Sequence, residues 1–129
     1  MPISFQRDGS ARRILATLTP GERWEHYERM LEAELNRHPE WADWDWIIDD
    51  HGPLDDISVA GMSHAAELYR RHSTGAPTRT VVVTTDAYFE PWARVMDHHF
   101  GHRTHHAAPT LAAARALLDR TDPGVRQQS

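Results

Sequence analysis

Apolar and polar positions along this chain switch between a two-residue and a helical period, and each switch predicts an element. Ile3 and Phe5 alternate with polar neighbours up to Asp8-Gly9, a two-residue hairpin signal, and Ile14, Ala16 and Leu18 repeat the alternation over residues 11–18. Two antiparallel strands are expected there. Trp24, Tyr27, Leu31 and Leu35 then fall at helical spacing with charges between them. Thr19-Pro20-Gly21-Glu22 reads as the capping box of that helix, with Thr19 at the N-cap, Pro20 at the first helical position and Glu22 reaching back. His38-Pro39 ends it.

After a linker over 40–43, residues 44–50 predict a third strand around Trp46 and Ile48. It ends in acids, turns at Gly52-Pro53 and feeds a second helix with Val59, Met62, Ala66 and Tyr69 on one face. Arg70, Arg71 and His72 fall in its last turn, where positive charge opposes the helix dipole. The β-branched run 80–84 has the character of a strand covered on both faces. Asp86 is the expected cap of a third helix carrying Tyr88, Trp92, Val95, Met96 and His99 on its apolar face, with Pro91 in its first turn and Gly101 as its stop. A short strand over 102–107 and a helix capped by Thr110, with Leu111, Ala114, Leu117 and Leu118 inward, complete the pattern. The order is β-β-α-β-α-β-α-β-α. It implies an α/β domain over 1–120 with a mostly parallel, mixed five-stranded sheet, followed by a flexible tail at 121–129.

That order, together with residues 44–58, 80–86 and the closing helix at 110–118, resembles the SpoIIAA-like (STAS-like) superfamily. Its members are anti-sigma-factor antagonists and their bacterial relatives, structurally related to the Sec14-type lipid-binding fold. In the antagonist branch a partner kinase phosphorylates a serine at the turn after the third strand, in an Asp-Ser-x-Gly-like context. The matching stretch here is Asp56-Ile57-Ser58-Val59-Ala60-Gly61, so the resemblance nominates Ser58 as phospho-acceptor. It implies a non-enzymatic regulatory domain that works by binding a protein partner, and a homodimer is compatible with it.

Composition narrows the alternatives. The chain has 129 residues and a formal charge of -5, which disfavours nucleic acid as a partner because phosphate binding needs a basic surface. All 14 basic residues are arginine, so Schiff-base, P-loop and receiver-type chemistries that need a lysine are excluded. Cysteine is absent, which removes thiol nucleophiles and thiolate metal sites. No apolar run is long enough for a membrane span and no secretory pattern opens the chain, so the cytoplasm is the expected compartment.

Asp49, Asp50, Asp55 and Asp56 crowd the carboxyl end of the third strand, and Thr85 and Asp86 follow the fourth on the same edge, where open α/β sheets bind ligands. With Ser58 they form the expected binding surface, spanning 49–62. Turn and capping roles are the simpler account of the acids, as an N-cap role is of Ser58. Five histidines fall between His98 and His106, but their spacing fits no ligand scheme: Gly101 separates His98 from His102, and adjacent His105 and His106 point to opposite faces of a strand. A solvent-facing cluster titrating near neutrality is expected, with no specific metal and no cofactor. The 5 tryptophans raise a second function. Trp41, Trp44 and Trp46 lie close together, with Trp44 and Trp46 on one face of the third strand. One can be core. The others, with Trp24, Tyr27, Tyr88 and Trp92 on flanking helices, could line a partner surface or a pocket for a small molecule or lipid, core packing being the simpler account. A His/Asp metal-binding protein is the third alternative. No nucleophile–base pair, glycine-rich phosphate loop or paired-carboxylate signature points to catalysis.

Overall fold

The computed structural model describes residues 3–19, 23–50, 59–86 and 89–120. Five strands, β1 (Ile3–Asp8), β2 (Arg13–Leu18), β3 (Asp45–Asp50), β4 (Thr78–Val83) and β5 (Arg103–Ala108), form one sheet in the order β1-β2-β3-β4-β5. The β1–β2 pair is antiparallel and the other three pairs are parallel. Four helices, α1 (Trp24–Arg37), α2 (Val59–His72), α3 (Phe89–Phe100) and α4 (Leu111–Arg120), cover it. The expected element order and the mixed, mostly parallel sheet are both present.

Because the strands lie side by side in chain order, every parallel crossover steps the same way across the sheet. Crossovers of one hand then place their helices on one face. Tyr27, Leu31 and Leu35 of α1, Met62 and Ala66 of α2 and Phe100 of α3 share a core with Ile14, Ala16, Leu18 and Trp46 of the strands. α4 follows β5 and is not a crossover between two strands of the sheet; it covers the other face, where Ala114 and Leu118 pack on Ile47, Val81 and Ala108. Thr110 caps it as expected, its Oγ1 accepting the Ala113 N–H at 3.0 Å. Arg13 of β2 reaches Asp119 of the same helix at 2.6 Å.

Several local expectations are corrected. The first hairpin is not closed by a two-residue turn: Asp8 pairs with Arg13, leaving 9–12 as the loop. Asp8 Oδ1 accepts from Ser10 Oγ and the Ala11 N–H, which lowers its pKa, and Arg12 takes the left-handed conformation at φ 54°. In the described residues α1 spans Trp24–Arg37, with Arg23 at its N-cap. Arg23 is extended (φ −108°, ψ 148°) and caps without a side-chain bond, while residues 20–22 lie outside the described set. The linker at 40–43 belongs to a 3₁₀ turn, Pro39–Asp43, that buries Trp41 and Ala42. Trp46 Nε1 donates to the Trp41 carbonyl at 2.8 Å, which ties this turn to the core.

The apolar face of α3 is rotated from the one expected. Ala93 and Phe100 are buried, whereas Trp92 and Val95 are 41% and 39% exposed. The reason is Asp97. Its carboxylate turns inward to accept from β5, which fixes the rotation of the helix at the expense of Val95. Tyr88 lies outside the described residues.

Candidate functional site: a cavity beneath the helices

The strand order contains no reversal, so the sheet lacks the switch-point crevice on which ligand binding at strand ends usually rests. The open space lies elsewhere. A cavity of about 400 Å³ separates α1, α2 and α3 from the face of β3, β4 and β5. Ile48, Thr80, Val82, Thr84 and His105 form its sheet wall, a same-face set that follows from strand alternation. Trp24, Tyr27 and Leu31 of α1 and Met62, Ala65 and Tyr69 of α2 form two further sides. Phe89, Trp92, Met96 and Phe100 of α3 complete it, with Asp86 just before that helix. Trp92 and Asp86 are exposed and Thr84 is half-buried, while Thr80 and His105 are buried, so the mouth lies at the carboxyl end of β4 and Thr80 and His105 lie deep.

The walls are held by polar anchoring behind them. Burial pushes the pKa of Tyr69 up to about 12, with Arg103 and the neighbouring Tyr27 opposing that rise. Arg103 is 3% exposed. Its Nη1 donates to Thr80 Oγ1 at 2.8 Å and to the Arg79 carbonyl, and its Nη2 to the carbonyls of Ala42 and Trp44. Burial lowers its pKa, opposed mainly by Tyr69 and Asp45. Asp45 in turn holds Arg79, whose backbone N–H and Nη2 both bond it at 2.9 Å.

His105 departs from the expected solvent-facing cluster. It is buried against Phe100, with ring centroids 4.6 Å apart, and Asp97 Oδ1 accepts both its backbone N–H at 2.7 Å and its Nδ1 at 3.0 Å. Burial drives its pKa down to about 4 against the pull of Asp97. The ring is therefore neutral at pH 7, with Nδ1 protonated toward the carboxylate and Nε2 left as an acceptor. His106 faces the opposite side of the sheet, as alternation requires, and bonds Thr104 at 3.0 Å. Burial lowers its pKa as well. His98 and His102 are exposed, and among the described residues no group of three histidines or acids comes together to hold a metal ion.

Of the sequence-predicted site, Asp86 lines the cavity and Thr85 is exposed beside it. Asp49 follows cavity-lining Ile48 and so points to the α4 face. Asp50 ends β3, and Asp55, Asp56 and Ser58, with the phospho-acceptor assignment, lie outside the described residues. Of the predicted aromatic pocket, Trp24, Tyr27 and Trp92 line the cavity, whereas Trp44 and Trp46 are buried in the core. Thr80 and Arg103 carried no distinguishing signal, beyond an arginine placed in a short alternating strand.

Among the described residues no helix is long and apolar enough to cross a membrane. Comparison with protein-family models, curated proteins and solved structures finds no match to this chain.

Proposed function

We propose that this protein is a non-enzymatic binder of a small, mainly apolar molecule, held between the three-helix layer and the sheet. The observation that carries this reading is the cavity of about 400 Å³ walled by aromatic and aliphatic side chains. Small-molecule sites are typically concave, apolar spaces of roughly 300–1,000 Å³ with a few placed polar groups. At the ~30 Å³ that one water occupies in the liquid, such a volume accommodates on the order of a dozen methylene-sized groups. A ligand filling such a volume would remove the apolar side chains of its lining from water. The likeness of the sequence pattern to the SpoIIAA-like superfamily, and through it to the Sec14-type lipid-binding fold, supports the same reading.

Native mass spectrometry of freshly purified protein tests it. The expected spectrum contains a co-purifying apolar adduct, which Ala65→Leu, placing three extra carbons in the cavity, removes without loss of folding. A protein that is consistently empty, and whose intrinsic fluorescence is unmoved by medium-chain alcohols, ethers and acids, would sink the reading.

A further inference from the structure

Two polar side chains at the deep end of the cavity are direct cross-strand neighbours. Thr80 and His105 pair in the β4–β5 register, both on the cavity side, and both are almost fully buried. Adjacent strands lie about 4.8 Å apart, so one small group can touch both side chains. Each has its hydrogen-bonding role set from behind. Thr80 Oγ1 accepts from Arg103 Nη1 at 2.8 Å, which uses one of its lone pairs and leaves its O–H able to donate. His105 Nδ1 is taken by Asp97 Oδ1 at 3.0 Å, and among the described residues no group pairs with Nε2. Arg103 spends Nη1 and Nη2 on four protein acceptors and does not line the cavity. The deep end thus presents one donor and one acceptor, side by side, with no charge of its own.

A hydroxyl is the simplest group that needs both. An ether or ketone accepts but cannot donate, and a carboxylate offers no proton to Nε2. Resting on the cavity reading above, we propose that the ligand is a medium-chain or comparably sized alcohol, whose hydroxyl donates to His105 Nε2 and accepts from Thr80 Oγ1 while its apolar body fills the space toward Trp92.

The test compares 1-nonanol, methyl octyl ether and nonanoate at pH 7, followed by tryptophan fluorescence and calorimetry. The alcohol and ether have the same number of non-hydrogen atoms and differ in the donated hydrogen bond. Roughly tenfold tighter binding of the alcohol is expected, the usual worth of one buried hydrogen bond. His105→Phe should erase that preference. In the unmutated protein, the ¹⁵N resonance of His105 Nε2 should shift on adding nonanol and stay in place with the ether, a readout independent of how the variant folds. Equal binding of alcohol and ether overturns the hydroxyl assignment and leaves the cavity reading standing. Tighter binding of nonanoate overturns it in favour of an anion site. Binding of none of the three overturns both.

Discussion

The guanidinium carbon of Arg103 lies 4.5 Å from the centre of the Tyr69 ring, stacking an edge-strand cation on the helix that walls the cavity. The same guanidinium bonds the carbonyls of Ala42 and Trp44 and the hydroxyl of Thr80, so one side chain joins the 3₁₀ turn, α2 and the floor of the cavity. Removing it strands several buried acceptors. Arg103→Ala is expected to cost about 3 kcal/mol in urea unfolding at pH 7. Arg103→Lys should recover little of this, because an ammonium lacks the planar fork and the ring stacking. A lysine variant as stable as the parent would show that the bonds around the fork carry no weight.

His105 makes stability depend on pH. Its folded pKa, near 4, lies below the ordinary histidine value of 6.5, so between those values the unfolded chain binds the extra proton. The sign follows directly: stability is full above pH 6.5 and falls as the pH drops toward 4. The shift corresponds to a loss on the order of 3 kcal/mol. Urea midpoints between pH 7.5 and 4 should show this fall, and His105→Gln should flatten it. An unchanged slope in the variant would place the acid sensitivity elsewhere.

Gly61 permits α2 to approach Trp24. A methyl group built there would come within 2.5 Å of the indole nitrogen, so Gly61→Ala must displace that cavity wall. A loss of about 1–3 kcal/mol is expected from overpacking, with a change in Trp24 emission. In a Trp24→Leu background the same substitution should become neutral or stabilising by up to ~1 kcal/mol, since alanine is the better helix former. Equal losses in both backgrounds would exclude the indole as the obstacle.

Thr110→Ala removes the N-cap of α4 and should lower stability by about 1 kcal/mol in urea unfolding. Ligand affinity should not change, because α4 lies on the face away from the cavity. A change in affinity would mean that the two faces of the sheet are coupled.

Much of the fold was legible because its signals are local. Period-two runs around Ile14 and Trp46, the β-branched run around Val81, the stripe from Trp24 to Leu35, the glycine stop at Gly101 and the Thr110 cap each depend on residues a few positions apart, and each is found in the structure. The failures came from side-chain bonds that residue periodicity does not show, one within the hairpin and one between α3 and β5. Asp8 side-chain bonds widened the hairpin, and an inward Asp97 rotated α3 away from its most apolar face.

The candidate site divides in the same way. Residue spacing brought attention to Asp86, to the tryptophans and to the histidine run, and strand alternation already separated His105 from His106. Nothing in the spacing could pair Thr80 with His105, or join Asp97 and Arg103 to them. Those partnerships depend on β4 and β5 lying in register and on α3 packing across them. The chain by itself determined the elements, their order and a sheet covered on both faces, because backbone period and turn chemistry act over a few residues. Tertiary structure alone decided where space remains between layers and which buried polar groups face it, because cavities and hydrogen-bond partners arise only when distant segments are brought into contact.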